Sequence, residues 1–408
     1  MKILQINATY GIGSTGTITK EISELCLQNG IQAYAAFSAG FGININKESS
    51  YEIGTQLDHK IHALLCRIAG KQGYFSRFAT IRFLKYIDTI KPDIVHLHNL
   101  HSNYINLNLL LRYLAKNNII TVITLHDCWY FTGGCFHYTA VRCEKWKSHC
   151  YNCIKQKEDT PALILDRSSN ILSDRILYLN AIPNLTFVGV SKWITGQLYQ
   201  SKLSEAGNIT CIYNGFNLNE FKRVKTNKKS EIGLEGKFII LGPASKWLST
   251  INRSTLQYFI KNIPTDAVLL LFGYDGIDKK IAPNVYLYPY AASRQEMVEL
   301  YSIANVMVNC SREDTLSSIN IEAQACETPV VTYDATGSQE TVNNISSYSV
   351  QTGDYKLLYE KVMSIYKGEK QILSQSSRDF VSENFEKITN YNKYIELYKT
   401  LINERDTE

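Results

Sequence analysis

The chain has no run approaching about 18 uninterrupted apolar residues, so no segment reads as a membrane-spanning helix. Its start, Met1-Lys2-Ile3-Leu4-Gln5-Ile6-Asn7, lacks the apolar core and small-residue cleavage site of an export signal. It reads instead as a first buried strand. Internal repeats and low-complexity tails are missing too, which excludes arrays and disordered stalks. These absences lead us to expect a cytoplasmic location. In that setting the ten cysteines are free thiols or metal ligands rather than disulfides.

What is present suits a folded chain of two or three domains. Of 408 residues, 45% are hydrophobic and 20% charged, enough for a core in each domain. The net charge of +5 is unevenly spread. Residues 1–210 hold 21 Lys and Arg against 14 Asp and Glu, whereas residues 211–408 hold 22 against 24. A basic front half fits an anionic partner such as a membrane surface, a phosphorylated acceptor or nucleic acid. It fits an ordinary solvated surface equally well.

Short apolar runs alternate with helical stretches. Strands are expected at Lys2–Ile6, Gln32–Ser38, Asp93–Leu97, Thr121–Leu125 and Asn184–Val190, with helices around Thr17–Gln28 and Phe78–Ile90. The alternation breaks at Tyr213-Asn214-Gly215 and a lysine-rich connector, Lys222–Gly236. It then restarts with strands at Phe238–Leu241, Ala267–Phe272, Val285–Tyr288, Val306–Cys310 and Pro329–Thr332. Helices are expected at Ser254–Lys261, Arg294–Ile303 and Ile319–Ala325, and one long helix over Ser377–Ile402. The expected class is α/β, with two doubly wound Rossmann-like domains facing a central cleft. Their bounds are 1–215, with a Cys-rich insertion at 128–157, and 216–376; residues 377–408 pack back on the first domain.

Three motifs carry candidate chemistry. Gly11-Ile12-Gly13-Ser14-Thr15-Gly16 follows the first strand and opens a helix, where backbone amides can face an anion. The acidic ribose ligand of a dehydrogenase is missing about 20 residues on. Thr124-Leu125-His126-Asp127 sets a histidine at a strand end. Glu313-Asp314-Thr315-Leu316-Ser317 leads into a helix carrying Glu322, and Asp314 is expected to cap that helix. Carboxylates so placed can accept hydrogen bonds from sugar hydroxyls. A capped helix with a solvated glutamate explains the same residues.

Together with Ile94-Val95-His96-Leu97-His98-Asn99, Tyr213-Asn214-Gly215 and the run Asp314–Thr328 ahead of Pro329-Val330-Val331, these motifs resemble the family 4 glycosyltransferases. The nearest flavour is the bacterial exopolysaccharide, colanic-acid type. The resemblance implies a GT-B fold and retaining transfer of a hexose-type sugar from a UDP- or GDP-sugar to a surface polysaccharide or lipid-linked glycan. It implies catalytic roles for His126, Asp314 and Glu313, and donor binding by Gly11, Gly13, Leu316, Ser317 and Glu322. Lys246 and Arg253 stand where the family's diphosphate-binding cations belong, without aligning cleanly. His98, Asn99, Lys71 and Tyr74 are expected on the acceptor side. An inactive nucleotide-sugar-binding subunit and a GT-B epimerase are the alternatives. No Asp-X-Asp clamp is present, so no obligatory catalytic metal is expected.

Two stretches remain. Cys135, Cys143, Cys150 and Cys153 have spacing compatible with a structural zinc or with buried free thiols. Lys60, Arg67, Lys71, Arg77, Arg82 and Lys85, interleaved with Tyr74, Phe75, Phe78 and Phe83, suit peripheral contact with a membrane face or the outer face of a core helix. No nucleic-acid motif accompanies them, and no nucleic-acid partner is expected.

Overall fold

The computed structural model describes residues 1–43, 46–159, 162–278, 280–368 and 374–407. The chain divides into two compact units, Met1–Asn214 with Asn390–Glu408, and Gly215–Thr389.

The first unit is built on a seven-stranded sheet. Its strands are β1 (Lys2–Ile6), β2 (Gln32–Ser38), β3 (Ser50–Ile53), β4 (Ile94–Leu97), β5 (Ile120–Leu125), β6 (Leu185–Gly189) and β7 (Asn208–Cys211). They lie in the order β3-β2-β1-β4-β5-β6-β7, and every pairing is parallel. β4, β5 and β6 are buried along their whole length, which is why they read as continuous apolar runs rather than alternating ones.

The second unit repeats the plan with β8 (Phe238–Pro243), β9 (Ala267–Phe272), β10 (Lys280–Ala282), β11 (Val285–Leu287), β12 (Val306–Asn309), β13 (Val330–Tyr333) and β14 (Tyr348–Val350). The order is β10-β11-β9-β8-β12-β13-β14, with only the β10–β11 pair antiparallel. In each sheet the first strand lies next to the strand where the winding reverses, β1 beside β4 and β8 beside β12. Loops leaving the carboxyl ends of those pairs diverge and open a crevice, which is where α/β sheets bind ligands.

The expected long terminal helix is two helices, Ser374–Phe385 and Lys387–Thr407. Glu386 separates them: its backbone bridges to Phe216, and its carboxylate accepts from the amides of Ile388 (3.0 Å) and Thr389 (2.7 Å). It therefore ends one helix and caps the next. Tyr391, Tyr394 and Tyr398 of the last helix are buried in the first unit's core beside Ile3, Ile94 and Val122. Tyr398 Oη meets His96 Nδ1 at 2.6 Å, and Tyr394 Oη meets Thr124 Oγ1 at 3.1 Å. Polar atoms that would otherwise be orphaned inside the sheet are thus partnered by the chain's last helix.

Candidate functional site

In the first unit, three loops leave the carboxyl ends of neighbouring strands. After β1, Gly11 and Gly13 take left-handed φ values of 70° and 67°. The Gly11 amide donates to the Gly16 carbonyl at 2.8 Å, closing the loop. Nothing crowds a side chain at Gly13, so the backbone conformation alone selects glycine there. The helix Gly13–Gln28 starts without a side-chain cap, leaving its first amides without that acceptor. Asn7 ties the loop to its neighbour, its Oδ1 accepting from the Asn99 amide at 3.1 Å.

The loops after β4 and β5 bring histidines together. His98 Nδ1 and His126 Nε2 are 3.0 Å apart, and their rings stack 5.3 Å between centroids. His98 Nε2 lies 3.0 Å from Gln5 Oε1, and His101 Nε2 lies 3.1 Å from Asp127 Oδ2. Burial holds the His126 imidazole down to about 4, with Asp127 pulling weakly the other way, so the ring is neutral near pH 7. His98 is fully buried, which corrects its expected contact with an acceptor: it lies behind His126 and offers no surface. Asn99 is partly buried, its carbonyl accepting from Tyr104 Oη at 3.1 Å. Lys71 lies over the Tyr74 ring at 5.1 Å, while Tyr74 Oη donates to Asp174 at 2.6 Å.

The cysteines are all free thiols. Cys135 and Cys153 approach to 3.9 Å between sulfurs. Among the described residues, no group of three or more His, Cys, Asp or Glu is placed to hold a metal ion. The expected four-thiolate zinc set is thus corrected to a thiol pair: Cys150 packs against the Gly133 backbone, and Cys143 is tied by its amide to the Tyr138 carbonyl. Arg175, buried over the Trp129 ring at 3.5 Å, braces the preceding turn by donating to the Thr132 carbonyl at 2.9 Å.

The basic, aromatic stretch also differs from expectation. Phe83 is core and Tyr74 is half-buried, leaving Phe78 as its exposed ring. The apolar surface lies on the helix Gln56–Ala69, which buries only His62 and Cys66. Leu57, Ile61, Leu64, Leu65 and Ile68 recur at helical spacing along its opposite, exposed stripe.

In the second unit, Lys246 lies in the short helix after β8, exposed, while its neighbour Trp247 is fully buried and donates to the Val308 carbonyl at 3.1 Å. Arg312 leaves the adjacent strand β12. Its Nε donates to Asn252 Oδ1 and its Nη2 to the Ile251 carbonyl, both at 3.0 Å. Burial pushes the Cys310 thiol up to about 12, and both Lys246 and Arg312 lie close enough to oppose that. Sequence reading sought cations only behind β8 and missed Arg312. The signal was its place directly before Glu313-Asp314. Arg253, by contrast, is an exposed first residue of the helix Arg253–Asn262.

A buried amide network fixes this loop. Asn309 Nδ2 donates to Ser317 Oγ (2.9 Å) and Asn320 Oδ1 (3.0 Å), and its Oδ1 accepts from the Ser311 amide (3.0 Å). Asn320 Nδ2 continues to Thr341 Oγ1 at 2.9 Å. Asp314 is held through its backbone, its amide donating to Thr336 Oγ1 and its carbonyl accepting from the Gly337 amide at 2.9 Å. It does not cap the following helix, a correction: that helix starts at Ser318 with Ser317 before it, and has no acidic residue in its first turn. Leu316 and Ser317 are buried, the Ser317 hydroxyl being occupied by Asn309. Glu322 consequently stands one turn into the helix rather than two. Its Oε2 accepts from Tyr301 Oη at 2.9 Å, and burial raises its pKa.

Residues 277–385 match the family model of glycosyl transferases group 1. The chain carries a group 1 glycosyl transferase segment. Over 193 residues it is 24% identical to WcaC of Escherichia coli K12, whose name is that of a colanic acid biosynthesis glycosyl transferase. That match covers 43% of this chain and 44% of WcaC, so the likeness spans less than half of either. Among solved structures, sucrose-phosphate synthase from Thermosynechococcus elongatus aligns over 99% of both chains at 17% identity with a TM-score of 0.69. Anabaena HepE, in complex with UDP-glucose, covers 98% of this chain and 100% of its own at 13% identity with a TM-score of 0.63. These likenesses show the fold, and it is GT-B. The glycosyl transferases group 1 match covers the Arg312–Glu322 loop and helix.

Proposed function

We propose that this protein is a retaining glycosyltransferase that moves a hexose-type sugar from a UDP- or GDP-sugar to a growing surface polysaccharide or lipid-linked glycan. One observation carries the reading. At the β8/β12 switch point, cationic Lys246 and Arg312 leave adjacent strands beside the acidic pair Glu313-Asp314, in a loop locked by Asn309 and Asn320. Cations answer the charge that grows on a departing diphosphate, and carboxylates answer hydroxyls. Arg312 and Lys246 hold the diphosphate, with Arg253 at the rim. Glu322 accepts from ribose hydroxyls through Oε1, while Glu313 or Asp314 meets the transferred sugar. In the first unit His126 serves the sugar, and the uncapped helix start at Gly13 favours phosphate. The complex of Anabaena HepE with UDP-glucose supports a nucleotide-sugar donor. The relative named for colanic acid synthesis supports a glycan acceptor.

Nucleotide release from a panel of UDP-, GDP- and ADP-sugars tests this. One donor class is expected to turn over, and Glu322→Ala is expected to raise its KM by about tenfold, the worth of a charged hydrogen bond. His126→Ala is expected to lower kcat. Binding without release, even with lipid-linked acceptor present, selects an inactive subunit instead.

Contact with a membrane face is part of the same proposal. Among the described residues no helix is long and apolar enough to cross a bilayer, but an interfacial helix needs only one apolar stripe. Leu57 is 65% exposed, Leu64 57% and Phe78 78%, with Ile164 at 77%. Lys60, Arg67 and Arg77 flank this surface and match anionic headgroups. Leu57→Ser with Leu64→Ser is expected to weaken co-sedimentation with phosphatidylglycerol vesicles by about tenfold or more. Equal sedimentation of the double variant and the parent sinks this part.

A further inference from the structure

Gln5 lies in the middle of β1 and is fully buried, an unusual place for an amide side chain. Its orientation is fixed by acceptors. Gln5 Nε2 donates to the Thr19 carbonyl at 2.9 Å and to Ser23 Oγ at 2.7 Å, and Ser23 Oγ spends its own proton on the same carbonyl at 3.0 Å. The amide nitrogen therefore faces the helix Gly13–Gln28, and Oε1 faces His98. An amide oxygen only accepts, so His98 Nε2 carries the proton across the 3.0 Å contact. Burial among His96 and His126 keeps His98 uncharged, so its Nδ1 holds a lone pair. That lone pair takes the next proton in line, the one on His126 Nε2 at 3.0 Å.

We propose that Gln5 and His98 are positioning residues that fix His126 as its Nε2–H tautomer, leaving Nδ1 as the free lone pair that meets a substrate hydroxyl. Among the described residues His126 Nδ1 has no hydrogen-bond partner, in contrast to every ring nitrogen of His96 and His98. The ring is thereby an acceptor at neutral pH. It suits a sugar hydroxyl rather than a phosphate oxygen, which offers no proton. The charged and titratable groups around it are His96 and His98 behind, and Asp127 and His101 alongside. The proposal rests on the reading of His126 as a sugar-side residue, but the tautomer itself does not.

Long-range nitrogen–proton NMR on the ligand-free, full-length chain labelled at its histidines reads the tautomer directly. The His126 signals are assigned by their loss in His126→Ala. Expected are a protonated Nε2 and a bare Nδ1 in the parent, and a mixture of tautomers in Gln5→Leu and, should that variant not fold, in Gln5→Met. His98→Asn, whose Oδ1 can still accept from His126, is expected to keep the parent tautomer, whereas His98→Leu loses it. In donor turnover His98→Leu is expected to fall about tenfold to a hundredfold in kcat/KM, with most of the loss recovered in His98→Asn. A purely packing role for His98 would favour leucine over asparagine. A parent His126 protonated on Nδ1, or a tautomer indifferent to Gln5 and His98, overturns the proposal. Should the tautomer hold while no donor turns over, the transferase reading falls and the hydrogen-bond chain stands.

Discussion

Replacing Arg312 by alanine is expected to lower kcat/KM for the donor sugar by about two to three orders of magnitude, most of it in kcat. The reason is geometric. Arg312 has two of its donors committed, Nε to Asn252 and Nη2 to the Ile251 carbonyl, so its guanidinium is set in place before any substrate arrives. Asn252 is itself anchored, donating to the Cys310 carbonyl at 2.8 Å. A preset charge costs no reorganisation when a diphosphate leaves, and among the described residues Nη1 has no hydrogen-bond partner. Lysine carries the charge but not the fork: its three donors sit on one nitrogen, which does not reproduce the spread of Nε and Nη2 toward Asn252 and Ile251 with Nη1 left over. Arg312→Lys is accordingly expected to recover little. Lys246→Ala is expected to cost less, because that side chain is solvent-exposed on a four-residue helix. Steady-state kinetics on the three variants separates these outcomes. An Arg312→Ala enzyme within about threefold of the parent would mean that the diphosphate is held elsewhere.

The sequence was most readable along the inner strands of each sheet. β2 and β9 were read to the residue, since apolar or small side chains run through them without interruption. The strands β3, β7, β10 and β14 went unread. Each is three or four residues long and lies at a sheet edge, and its pattern is too short to repeat. The terminal helix was read as continuous because its aromatic spacing persists through Glu386; the break comes from backbone pairing with Phe216, a contact 170 residues away. The same limit governs the site. His126, Glu313, Asp314 and Glu322 were singled out because each sits in a local motif. Gln5 was missed because its partner His98 is 93 positions distant. The four cysteines mislead in the opposite sense: their closeness along the chain did not set them, among the described residues, in the geometry that holds a metal ion.

Mild acid is expected to unfold the first unit well before the second. All eight histidines fall between His59 and His149, and the second unit has none. Burial holds His62 and His126 down to about 4 and His96 to about 3, and it lowers His98 as well. In the unfolded chain these rings titrate near 6.5, as free imidazole does. Between those values the unfolded state binds more protons than the folded one, so stability is complete above about pH 6.5 and drains away as pH falls toward 4. A single ring with a shift of that size contributes roughly 3 kcal/mol over the window, a large part of a typical unfolding free energy. The lowered carboxyls Asp127 and Asp166 add to the loss only at still lower pH. In the second unit the raised Glu322 acts in the other direction, because a folded-state pKa above the free value favours folding in acid. Urea titrations at about pH 7.5 and about pH 5, followed by pulsed hydrogen exchange to read each unit separately, should show the first unit's midpoint falling while the second stays nearly level. His62→Gln should flatten the dependence without disturbing the donor loop, since His62 sits on the buried face of the helix Gln56–Ala69 in the first unit. The terminal helix should open with the first unit rather than the second, because charging His96 costs it the neutral pairing with Tyr398 that seats Tyr391, Tyr394 and Tyr398 against the sheet. A first unit equally stable at both pH values would show that these histidines are hydrated in solution, and the buried hydrogen-bond chain from Gln5 to His126 would fall with them.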